Sequence, residues 1–179
     1  MVTSSILRAH ISQVRRTEGA YQFGIYHEGG APEIAWKIHA KMAAEPTKVF
    51  IACDIKNGFG AARRRDATEG AKRWCPVLGT IFANLWAGKE STYNRRRGRT
   101  PPRGSRPITV RDGLLQGACE APVAFALSLR VAMMEFEDEM RKQGVGLTTE
   151  LEYWAYVDDI TIATTAELAP FVMAKLKET

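Results

Sequence analysis

The sequence predicts an α+β fold, a small and mostly antiparallel sheet with helices packed on one face. Three observations predict it. The run at 48–55 is mostly apolar with a β-branched bias and reads as a buried strand. Two further strand-like runs, 151–155 and 160–165, flank Tyr156-Val157-Asp158-Asp159 and read as a hairpin. Helical stretches separate these few strands, in the order helix, strand, helix, loop, helix, hairpin, helix. The 179 residues suffice for one domain with a real core, and no internal repeat divides them.

Each element has its own local cause. Residues 6–14 read as a short helix or part of a larger element. Gly29-Gly30 is a turn, and Pro32 near the first position opens a helix whose Ile34, Ile38 and Met42 recur on one face. Pro46 stops it. The strand at 48–55 ends near Asp54 and breaks at Asn57-Gly58-Phe59-Gly60. A helical stretch over about 64–86 follows, interrupted at Pro76. Residues 88–106 are rich in Arg, Gly and Pro without a period, a loop or loosely held hairpin. Residues 107–111 read as a short strand, and 113–117 as a turn-rich connection. Pro122 begins a long helix that ends at Gly144, with Val123, Leu127, Val131 and Met134 near one face. Its acidic last turns read as a solvated face. After the hairpin, Thr164 and Glu167 have the spacing of a capping box for a last helix, with Pro170 kinking it or delaying its start.

Composition narrows the function classes. The net charge is +5 and the pI about 9.2, a weak sign of polyanion binding. The positive charge gathers in Arg63-Arg64-Arg65 and in Arg95, Arg96, Arg97, Arg99, Arg103, Arg106 and Arg111. Cys53, Cys75 and Cys119 are far apart and odd in number, which argues against a disulfide framework or a zinc site. His10, His27 and His39 form no ligand or catalytic pattern. No run is apolar enough to span a bilayer, and no secretory signal opens the chain, so the expected compartment is cytoplasmic or nuclear.

Acidic residues at strand ends point to chemistry. If the strand at 48–55 lies beside the hairpin, Asp54 and Asp158 meet at one sheet edge. Clustered carboxylates repel, and a divalent cation removes the repulsion; hard oxygen donors select Mg²⁺ or Mn²⁺. Two such ions roughly 3.5–4 Å apart suit an in-line phosphoryl displacement, which needs no protein nucleophile. The bland reading is that Asp suits hairpin turns in any protein.

Three blocks, in order, resemble the palm motifs of reverse transcriptases, most closely the non-LTR retroelement type. Residues 50–59 end on Asp54-Ile55-Lys56-Asn57-Gly58-Phe59. Residues 113–122 carry Gln116-Gly117 ahead of Pro122. Residues 155–159 carry Tyr156-Val157-Asp158-Asp159. Upstream, Gln22-Phe23-Gly24 with Gly29-Gly30 is similar to the finger-to-palm connection of retroelement enzymes. The resemblance implies a polymerase palm over 48–179, partial fingers over 1–47, and no thumb within this chain. It implies Asp54 and Asp158 as catalytic metal ligands and Asp159 as a third, less direct acid. Phe59 would lie under the sugar and clash with a ribose 2′-OH. Gln116 and Gly117 would lie against the template base and incoming nucleotide, and Tyr156 would support the primer end. Arg95, Arg96, Arg97 and Arg99 would track phosphates. The implied partners are an RNA or DNA template with primer, dNTP, and fingers and thumb regions of a larger polyprotein; no membrane is implied.

The chain departs from the family where Asp-Pro usually follows Gln-Gly and Ser precedes the later Pro. Ala118-Cys119 and Ala121 stand there instead. That departure favours the competing reading, a catalytically inactive nucleic-acid-binding remnant. A related RNA-templated RNA polymerase shares the carboxylate plan, and Phe59 argues against it.

Overall fold

A computed structural model describes residues 2–18, 21–87, 90–92, 108–110, 112–147 and 149–178. The elements are α1 (Val2–Glu18), α2 (Gly30–Ala44), β1 (Val49–Asp54), α3 (Gly58–Ala61), α4 (Arg64–Trp74), α5 (Pro76–Trp86), β2 (Glu90–Thr92), β3 (Ile108–Val110), α6 (Ala121–Lys142), β4 (Leu151–Tyr156), β5 (Asp159–Thr164) and α7 (Ala169–Leu176). The fold is mixed α+β. The main sheet has the order β1-β5-β4, antiparallel throughout, and β2 pairs with β3 in a separate antiparallel ribbon.

Strand alternation divides the main sheet into two unlike faces. Ile51, Cys53, Leu151, Ala155, Ile160 and Ile162 face a core whose centre is α6. That helix carries Leu127, Met133 and Phe136 fully or nearly buried. Each large apolar side chain so placed contributes about 1.5–3 kcal/mol of transfer free energy. On the opposite face Phe50, Trp154 and Ala163 pack with Phe23 and with Ile34 and Ile38 of α2. Helices therefore cover both faces, not one. The second cover is partial: toward the hairpin tip Ala52, Asp54, Tyr156 and Asp159 are exposed on that face.

Several expectations change in detail. Among the described residues β1 pairs only with β5, at the edge of the sheet, and Ala52 and Asp54 are exposed, so it is not the buried strand its apolar run suggested. α1 is longer than residues 6–14 and buries Leu7 and Val14. Met42 is 46% exposed and takes no part in the face formed by Ile34 and Ile38. Pro76 does interrupt the helical stretch: α4 ends before it, and the proline restarts the chain in the first turn of α5. α6 has its proline in the first turn and Gly144 beyond its end at a φ of 76°.

The acidic end of α6 is only partly a wet face. Glu137 turns inward, accepting a hydrogen bond from the Tyr153 hydroxyl and pairing with Arg130 at 3.0 Å. At the other expected cap, no capping box forms. α7 starts at Ala169, and the Leu168 N–H donates to the Thr165 hydroxyl at 3.3 Å. Pro170 sits in the first turn of α7, which sets the start later than Thr164 and Glu167 would have placed it. Among the described residues no helix is long and apolar enough to cross a membrane.

Candidate active site

Two strand ends bring the acids together. Asp54, the last residue of β1, is the register partner of Asp159, the first residue of β5. Tyr156 is the partner of Asp159 on the other side, so Asp54, Asp159 and Tyr156 share one sheet face, and all three are exposed. Asp158 stands in the two-residue connection between β4 and β5. It lies over the start of α3, where a β-carbon on Gly58 would be 3.3 Å from that of Asp158. Gly58 is buried between Asp158 and the Phe125 ring of α6. The three acids named from the sequence are thus brought to one end of the sheet.

The connection itself is strained. Val157 has a φ of 58°, and Asp158 is not in that region. A positive φ is rare for a β-branched residue and costs on the order of 1–3 kcal/mol. A buried side chain bonds to it on both sides. Gln22, 3% exposed, accepts the Val157 N–H through Oε1 at 2.9 Å and donates from Nε2 to the Val157 carbonyl at 3.2 Å. The same Oε1 accepts the Gly24 N–H at 2.9 Å. Segment 21–23 runs parallel along the outer edge of β4: the Ala155 N–H donates to the Tyr21 carbonyl and the Phe23 N–H to the Ala155 carbonyl. Gly24 then passes so close that a β-carbon there would lie 2.5 Å from both Val157 Cγ2 and Val157 N. Sequence reading linked Gln22-Phe23-Gly24 to the site only by resemblance. The physical signal was present in one feature, an amide residue between two aromatics in an otherwise apolar stretch.

Phe59 is half-buried and stacks on Phe125, with ring centroids 5.0 Å apart and an interplanar angle of 24°. Its carbonyl accepts the Leu114 N–H at 2.6 Å, which ties the 113–117 turn to α3. Arg64 secures the same turn: its Nε donates to the Gly113 carbonyl at 2.7 Å, and its backbone N–H to Asp112 at 2.8 Å. Gln116 and Gly117 stand further along that turn and are exposed; no described contact joins them to the acids. The turn carries Gly113 at φ 82° and Gly117 at φ 89°. Arg95, Arg96, Arg97 and Arg99 lie outside the described residues.

The acids supply hard carboxylate oxygens, yet among the described residues no three His, Cys, Asp or Glu side chains gather into a group that could hold a metal ion. A ready cage is not what Mg²⁺ requires. It commonly takes one or two carboxylates and completes its shell with water and substrate phosphate oxygens. The register pair Asp54 and Asp159 supplies two such carboxylates at one sheet end, with Asp158 in the neighbouring turn. No protein-family model matches the chain, and no curated protein matches it.

Proposed function

We propose that the chain is a reverse transcriptase palm that extends a primer on an RNA or DNA template with dNTP. One observation carries the reading: Asp54 and Asp159 are register partners at an exposed sheet end, with Asp158 in the turn beside them. The primer 3′-OH forms the new bond to the α-phosphate, and the bond to the β-phosphate oxygen breaks, releasing pyrophosphate. Asp54 and Asp158 would hold Mg²⁺ or Mn²⁺, with Asp159 as the less direct third acid. The ion, when bound, supplies charge neutralisation and Lewis-acid polarisation of a phosphoryl oxygen.

The chain's own groups position the substrates. The Phe59 ring, stacked on Phe125 and next in sequence to the Gly58 that lies beneath Asp158, would meet the nucleotide sugar. Tyr156, 38% exposed on the face of Asp54 and Asp159, offers the primer end an aromatic surface. Gln116 and Gly117, exposed beyond the Leu114 contact, would back the template base and incoming nucleotide. Arg95, Arg96, Arg97 and Arg99 would meet phosphates without choosing sequence.

A second reading, a nucleic-acid-binding remnant without catalysis, is favoured by Ala118, Cys119 and Ala121 in place of the family's polar residues. One experiment separates the two: extension of a labelled primer on RNA with dNTP and Mg²⁺ or Mn²⁺, using the wild-type chain and Asp158→Asn. The polymerase reading expects extension by the wild type, loss in the variant and nearly equal template binding by both. Template binding that weakens steeply with salt, without extension by either chain, selects the remnant.

A further inference from the structure

We propose that Gln22 is a positioning residue for the acidic turn: its side-chain amide holds Val157 at positive φ and so fixes where Asp158 stands. The side-chain amide bridges the two successive peptide groups that flank the Val157 α-carbon. Oε1 accepts the Val157 N–H at 2.9 Å while Nε2 donates to the Val157 carbonyl at 3.2 Å. The second acceptor site of Oε1 takes the Gly24 N–H at 2.9 Å, so the amide cannot swing away without breaking three bonds. Gln22 is 3% exposed, and water is a poor substitute for it there.

The need for such a clamp is written in the turn. Its first residue has φ 58°, a position that ordinarily holds glycine in two-residue hairpin connections. Valine does not stay there by preference. Gly24 completes the arrangement from the other side, because only a residue without a β-carbon can pass Val157 at this distance. Released from Gln22, Val157 relaxes toward negative φ, and the next residue, Asp158, moves with it. The role assigned to Asp158 rests on the polymerase reading; the clamp itself does not.

The test uses the full chain and Gln22→Met, similar in shape and unable to make the bonds. Hydrogen exchange is expected to quicken by about tenfold or more at residues 157–159, with β1 and the middle of β5 still protected. Binding of Mn²⁺ alone, followed by electron paramagnetic resonance, is expected to weaken by about tenfold. Gln22→Glu keeps the acceptor oxygen but, when ionised, sets a carboxylate oxygen against the Val157 carbonyl oxygen where Nε2 had donated. It is expected to quicken exchange at residues 157–159 at neutral pH, less so at acid pH where the protonated carboxyl can donate to that carbonyl, and it decides the matter if Gln22→Met does not fold. Asn tolerates positive φ, so in a Val157→Asn background the Gln22→Met effect on exchange is expected to shrink to about threefold or less. Tip exchange equal to wild type in folded Gln22→Met or Gln22→Glu, or full additivity with Val157→Asn, would overturn the clamp. A wild-type chain that extends no primer and binds no Mn²⁺ overturns the polymerase reading alone, and the exchange results still decide the clamp.

Discussion

Asp54 stands directly across the β1–β5 ladder from Asp159, the last residue of one strand facing the first residue of the next. Like charges placed opposite one another in an antiparallel pair destabilise it, by about 0.2–1 kcal/mol. The pairing therefore costs stability in the absence of a cation. Asp159→Asn is expected to raise the urea midpoint slightly when no divalent ion is present. Adding Mg²⁺ is expected to stabilise the wild type by mass action and the variant less. Equal Mg²⁺ responses would separate this pair from ion binding.

The proposed contact of Phe59 with the nucleotide sugar is open to a direct ratio. Phe59→Ala removes the ring and is expected to raise use of rNTP relative to dNTP by about tenfold or more. Phe59→Tyr keeps the ring and its stack on Phe125 and is expected to leave the ratio near wild type. A constant ratio in both variants would mean that Phe59 serves only packing.

The turn at 113–117 contains two glycines that should not be equivalent. A β-carbon on Gly113 would lie 2.6 Å from the Gly60 carbonyl oxygen, at φ 82°. Gly117 has φ 89° and nothing within 4 Å of the same added atom. Gly117→Ala thus carries only the backbone penalty, on the order of 1–2 kcal/mol. Gly113→Ala adds a steric clash with backbone, about 1–3 kcal/mol more. Chemical denaturation of the two variants is expected to rank them in that order.

Alkaline pH should weaken the fold through Tyr153. Burial first, and then the hydrogen bond to Glu137, push its phenol well above the ordinary tyrosine range. The folded state therefore favours the protonated phenol. That contribution is fully present below the ordinary value of about 10 and is lost as pH rises from there toward the folded value. Stability measured between neutrality and strongly alkaline pH is expected to fall above about pH 10. Tyr153→Phe is expected to show a shallower fall and, at neutral pH, a loss of about 1–2 kcal/mol from the interrupted Glu137–Arg130 network.

Much of this architecture was legible in the residues. Proline and glycine placed the α4–α5 break and both ends of α6, because their backbone restrictions act locally. The hairpin around Val157 and Asp158 was legible from two strand-like runs with acids between them. What stayed hidden depends on neighbours that the local sequence does not name. The apolar run of β1 is the same whether one partner strand or two lie beside it. Glu137 looks like any other acid in a charged helix end until Arg130 and Tyr153 are found next to it. Met42 keeps the helical spacing of Ile34 and Ile38, yet the face that α2 buries is too narrow to include it. The part played by Gln22 was hidden most deeply: an amide between two aromatics sets position 22 apart, but it does not name position 157 as the partner.

That bond joins residues 135 positions apart. Closing so long a stretch of chain carries an entropic cost before any contact offsets it, and contacts of that separation tend to be completed late. On the ribosome, the amide emerges 135 residues ahead of its partner and waits while the stretch between them is synthesised. A nascent chain can form α4, α5 and α6 in that interval, but its acidic tip takes its final shape only once Gln22 and Val157 have met.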